Sequence, residues 1–347
     1  MDQQSHHRLP VSAVRRERAT AGEEEIVQTS ASEVSARPDY RGPLLGSGSR
    51  LERATLDALD RLEQVLSLQP LGSDRFRAGN EAGRFGRVFG GQLFAQAMAA
   101  AAATVPELTA HSIHASFLRP GDPGLPVEIT VERTRDGRSM SARQVTVQQD
   151  GRTRMIATVS FDTSSDTDES APEPLPGPAP EDLPLLQHWV LNAPPHLAGR
   201  GTAWIEQPPP LEMRTAEAPV FLGGRQAPGP RTHWMRLPRA ADGDSQLNAF
   251  LLAYASDYLL VDTAFRSYPT RVDHATHTGL TLDHTVWVHR PVHFDRWHLY
   301  TQQTVATAGH RALVRGTLVD ATGRHVASTA QEVLVRAGAA SARTERT

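Results

Sequence analysis

A chain of 347 residues with a formal net charge of −3 has length for two ordinary domains, each with its own core. That balance gives no global attraction to nucleic acid or an anionic membrane. The absence of cysteine excludes a disulfide scaffold, a thiolate nucleophile and cysteine-bound zinc or iron–sulfur centres.

Residues 1–50 mix both charge signs with Ser, Gly and Pro and show no apolar period, which predicts a disordered N-terminal arm. Met1 to Arg8 has no apolar secretory core, and the longest apolar run, Ala97 to Ala103, is far too short to span a bilayer. A cytoplasmic protein without membrane insertion is the expectation.

Globular patterning begins with an amphipathic helix over Leu51 to Leu68. A second helix, rich in alanine, opens on Gly90-Gly91 and runs to Ala103. A glycine pair at a helix start signals backbone held close to a neighbouring element or a ligand. Strand-like alternation follows over Ser112 to Leu118, Val127 to Arg133, Ser139 to Gln148 and Thr153 to Phe161, broken by Arg119-Pro120-Gly121, Asp136-Gly137 and Asp150-Gly151. Residues 51–162 therefore read as one helix-plus-meander unit. Residues 163–200, acidic and then proline-rich, read as an extended surface linker, residues 201–338 as a second unit and 339–347 as a tail.

In the second unit, Gln246 to Leu260 is apolar nearly all round a helical wheel, which predicts one helix wrapped by other structure. Asp257 sits inside that run, where a carboxylate is costly unless something hydrogen-bonds it. Strands are predicted over Thr281 to Val288, Trp297 to Ala306, Ala312 to Asp320 and His325 to Val335. Arg119-Pro120 aligns with Arg290-Pro291 at an offset of 171, and the same offset carries Ala157-Thr158 onto Ser328-Thr329. An internal duplication follows, with the two sheets joined edge to edge. The fold class is α+β.

Four segments carry a resemblance to a known family: Val88-Phe89-Gly90-Gly91-Gln92, His111 to Asp122, Leu252 to Asp257, and Leu282 to Pro291. They resemble the acyl-CoA thioesterase II (TesB-like) family over roughly residues 54–337. The resemblance implies a double hotdog, two helices each wrapped by an antiparallel sheet. It implies hydrolysis of acyl-CoA thioesters without a metal, a cofactor or a covalent intermediate. It places the family's water-holding residues on Asp257, Thr281 and Gln331. By analogy a homo-oligomer is expected.

Those residue types suit the chemistry. An ionised Asp257 accepts hydrogen bonds, the Thr281 hydroxyl donates and accepts, and the Gln331 carboxamide offers two donors. Together they can fix a water and take its proton. Backbone N–H groups at Gly90 and Gly91 are candidates for holding the substrate's oxyanion. Each residue also has a plain reading: Asp257 satisfying a helix end, Thr281 an ordinary strand threonine, Gln331 a surface glutamine, Gly90-Gly91 a packing device. His111 and His114, and likewise His284 and His289, are odd numbers apart on strands, which argues against a shared metal. His111 as a general base stays below its structural reading. Arg133, Arg135, Arg138 and Arg143 read as a solvated sheet face or, less strongly, as contacts for CoA phosphates. A hotdog hydratase or dehydratase, or a non-catalytic acyl-CoA-binding module, are the alternatives to a thioesterase.

Overall fold

The computed structural model describes residues 49–81, 83–84, 86–163, 174–241, 245–272, 274 and 276–337. The expectations for residues 1–48, 164–173 and 338–347 lie outside them.

Ser49 caps the first helix, α1 (Arg50–Leu66), its hydroxyl accepting the Glu52 N–H at 3.1 Å. Two short strands follow, β1 (Gln69–Gly72) and β2 (Arg75–Ala78), then the alanine-rich α2 (Gly90–Ala102), whose residues beyond Gly90 are all buried. Small side chains are what such a position requires, because the helix is covered on every side. Strands β3 (Thr109–Phe117), β4 (Val127–Arg135), β5 (Met140–Gln149) and β6 (Arg152–Asp162) wrap it.

Residues 174–241 depart from the extended linker expected for their first part. They contain α3 (Leu186–Leu191), α4 (Ala198–Gly201), α5 (Ala203–Glu206), β7 (Glu212–Arg214) and β8 (Arg231–Arg236). Leu183, Leu185, Leu186 and Val190 are buried there. Those apolar side chains, spaced between the prolines, pull the segment onto the body of the protein.

The helix predicted over Gln246 to Leu260 is broken. It forms α6 (Ser245–Ala255), a four-residue turn, and α7 (Leu260–Arg266). Leu259 takes a left-handed conformation at φ 65°, costly for a residue of its kind. Three hydrogen bonds, one local and two nonlocal, hold the break. The Ser256 hydroxyl donates to the Ala253 carbonyl at 2.7 Å, the Tyr300 hydroxyl to the Ser256 carbonyl at 3.0 Å, and the Gln302 amide to the Tyr258 carbonyl at 2.8 Å. Carbonyls released by the helix are thus satisfied from a strand.

The remaining strands are β9 (His277–Thr281), β10 (Asp283–Val288), β11 (His298–Ala308), β12 (Arg311–Asp320) and β13 (His325–Ala337). All thirteen strands among the described residues form one sheet, ordered β1-β2-β4-β5-β6-β3-β10-β13-β12-β11-β8-β7 with β9 beside β13. The halves join edge to edge through antiparallel β3 and β10, where His114 faces Thr285. These two residues are 171 apart, so the sheet's approximate twofold axis passes between a residue and its own counterpart. The bulges repeat as well: Arg133/Arg135 in β4 recurs as Thr304/Ala306 in β11. Among the described residues no helix is long and apolar enough to cross a membrane.

Candidate active site

Asp257 occupies the turn between α6 and α7, not the interior of a helix. Only 8% exposed, its carboxylate accepts the Gly91 backbone N–H at 2.9 Å on Oδ2. Gly91 opens α2 of the other half, so the start of one long helix meets the break after the other. The approach explains the glycine pair. A Cβ on Gly91 would lie 2.3 Å from the Tyr254 carbonyl, and one on Gly90 would lie 2.8 Å from Asp257 Oδ2.

The bond also corrects an expectation. The Gly91 N–H is occupied by Asp257 and is not available to an oxyanion. Gly90 remains at the cavity wall in the first turn of α2, where helix N–H groups lack intrahelical acceptors.

Thr281 and Gln331 are brought to the same place by a strand irregularity. The single strand predicted from Thr281 to Val288 is interrupted at Leu282. Thr281 pairs with Val333, whereas Thr285 pairs with Ala330, a slip of one residue. Leu282 bridges the gap by donating its N–H to the Glu332 carbonyl, and Asp283 accepts the Glu332 N–H at 2.8 Å. Such a bulge re-aims the side chain beside it. Gln331 is fully buried, contrary to its surface reading, and donates from Nε2 to Thr281 Oγ1 at 2.9 Å. Its carboxamide also helps hold the Asp257 carboxyl down. All three polar residues therefore form one cluster.

Burial pushes the Asp257 carboxyl up to about 7, opposed by the hydrogen bond from Gly91, by the Gln331 carboxamide and by the Arg87 charge. A carboxyl balanced near neutrality can hold or release a proton under ordinary conditions. Asp257, Thr281 and Gly90 line a cavity of about 480 Å³, with Arg87, Arg119 and Arg200 among its other lining residues.

The first half holds the counterpart of this arrangement without its chemistry. Thr104 stands two residues past the end of α2, as Asp257 does past α6. Ala110 and Ser160 occupy the places of Thr281 and Gln331 at the offset of 171, beside an equivalent bulge at His111. Arg143 fills the spot, donating to Thr104 Oγ1 at 2.7 Å, to Asp136 at 2.5 Å, and to the Arg135 and Ala142 carbonyls. Arg143 is thus buried rather than solvated. Arg133 pairs with Asp74 at 2.7 Å, Arg135 and Arg138 are exposed, and none of the four lines the cavity.

The histidines also differ from expectation. The bulge at His111 breaks the strand's alternation, so the odd spacing alone does not set His111 and His114 on opposite faces, and burial holds the His114 imidazole down. His284 is fully buried with Nε2 2.8 Å from the Ser256 hydroxyl, and burial holds it down at about 3, a neutral imidazole under the turn. Among the described residues no group of three or more His, Asp or Glu is arranged for a metal ion. Of the large apolar side chains, Phe117 lines the cavity, while Phe94 and Met98 are core and Trp287 is exposed.

Residues 80–162 match the family model described as the acyl-CoA thioesterase N-terminal domain, and residues 180–335 match that of the C-terminal domain. The chain is 34% identical over 284 residues to acyl-coenzyme A thioesterase 8 of Homo sapiens, spanning 78% of this chain and 88% of that protein. It belongs to the acyl-CoA thioesterase family. Acyl-CoA thioesterase 2 of Haemophilus influenzae is 32% identical over 285 residues, 81% of this chain and 98% of its own. Among solved structures, a TesB protein of Mycobacterium avium subspecies paratuberculosis superposes with a TM-score of 0.65 at 29% identity, covering 80% of this chain and 99% of that one. Membership makes the chain a thioester hydrolase of the double hotdog fold.

Proposed function

We propose that the protein hydrolyses fatty acyl-CoA to free acid and CoA, with Asp257, Thr281 and Gln331 holding the attacking water. The observation that carries this reading is the buried Asp257 carboxyl, raised to about 7 and sharing a cavity wall with Thr281, whose hydroxyl accepts from Gln331. Asp257 Oδ2 is engaged by Gly91, leaving Oδ1 to orient the water and take its proton. Gln331 donates to Thr281 Oγ1, so the threonine hydroxyl is directed to donate onward. Thiolate is a good leaving group, so a positioned water suffices as nucleophile. The Gly90 N–H, at the positive end of α2, is the donor for the tetrahedral oxyanion.

Release of CoA from an acyl-CoA panel, followed with a thiol reagent, tests the assignment in the wild type and in Asp257→Asn. Turnover lost in the variant supports it. A variant that hydrolyses the panel at the wild-type rate overturns it.

A further inference from the structure

Aromatic rings form an unbroken row along the cavity. Phe89 lies 4.7 Å from Tyr258, Tyr258 5.9 Å from Trp204, Trp204 5.4 Å from Phe221, Phe221 6.0 Å from His274, and His274 4.0 Å from Phe265, all between ring centres. The first five of these residues line the cavity. Tyr258 adjoins Asp257 in sequence, so the row leads away from the proposed reaction centre. The rings brace one another: Trp204 and Phe221 stack at 22°, and His274 and Phe265 at 14°. The backbone of Val220 and Phe221 is further fixed by Asp262, whose two carboxylate oxygens accept their N–H groups at 2.9 and 3.1 Å.

We infer that the acyl group this site prefers is aromatic, an aryl or arylacetyl thioester of CoA rather than a straight alkyl chain of similar size. This rests on the hydrolase reading above and puts an aryl group in place of the fatty acyl chain as the preferred substrate. An aromatic wall pairs with another ring by stacked or edge-to-face contact, an attraction beyond the area buried that an alkyl chain does not share. A braced wall cannot remould itself around a flexible chain, and an aryl group gives up less rotational freedom on binding than an alkyl chain does.

The test compares kcat/KM for phenylacetyl-CoA and octanoyl-CoA, whose acyl groups have equal carbon count, using the full chain. The wild type should favour phenylacetyl-CoA. That ratio should fall about two- to tenfold in Phe221→Leu and again in Trp204→Leu, with melting temperatures recorded for both. If Trp204→Leu does not fold, the half-buried Phe221 decides. An equal or higher value for octanoyl-CoA in the wild type overturns the inference while leaving the hydrolase reading intact. A ratio unmoved by the substitutions overturns it in the same way. Release of CoA from neither substrate overturns the hydrolase reading, and this inference falls with it.

Discussion

The Gly91 N–H donates to Asp257 Oδ2 at 2.9 Å across the two halves of the chain. One helix start thereby fixes the carboxylate at the end of the other. Asp257→Asn keeps the size of the side chain and an oxygen for that bond while removing the base. We expect kcat to fall about 10²- to 10⁴-fold with the melting temperature retained or raised, checked by CoA release and calorimetry.

Activity should follow the ionisation of Asp257. Its carboxyl stands at about 7, so kcat/KM should rise with pH up to that point and level off above it. Stability runs the other way. The folded value lies above the ordinary 3.8, so this group's stabilisation is fully present below about pH 4 and is lost as pH rises through about 7. The melting temperature of Asp257→Asn relative to wild type should therefore climb between pH 5 and pH 8.

The Gln331 carboxamide lowers the Asp257 value. Gln331→Ala should displace the acidic limb of the pH–rate profile to higher pH, in addition to lowering the plateau. A plateau loss with an unmoved limb would mean that Gln331 acts only by packing.

Gly91→Ala tests the close approach. The added methyl would lie 2.3 Å from the Tyr254 carbonyl, and overpacking of that kind costs about 1–3 kcal/mol. A lowered melting temperature together with lost turnover is expected, because the displaced helix start carries Asp257 with it.

Tyr300→Phe removes the hydroxyl that satisfies the Ser256 carbonyl at 3.0 Å. A buried acceptor left unpaired costs about 1–3 kcal/mol. Stability should drop by that order in denaturant unfolding. Turnover should drop too, since Ser256 immediately precedes Asp257.

The repeat, the meanders and their edge-to-edge junction are legible in the sequence because alternation and turn residues are local signals. The broken helix is not. Gln246 to Leu260 contains neither glycine nor proline, and its break depends on Tyr300 and Gln302, which come from a strand far along the chain. The slip beside Thr281 is hidden for a similar reason, since it is defined by pairing with Ala330 and Val333. Asp257, Thr281 and Gln331 are identifiable by resemblance, but their adjacency is a product of those two irregularities. Arg143 misleads because its burial is compensated by Asp136, Thr104 and two carbonyls that no periodicity reveals.

The guanidinium of Arg143 bound to Thr104, the twin of Asp257, has an evolutionary implication. A symmetric ancestor would have had two equivalent centres, and losing one released half the molecule from chemical selection. Positions 110 and 160 are then answerable only to folding, while 281 and 331 answer to turnover as well. Saturation mutagenesis should find the first pair permissive for catalysis and the second pair not, a difference invisible in a fold whose halves repeat their bulges.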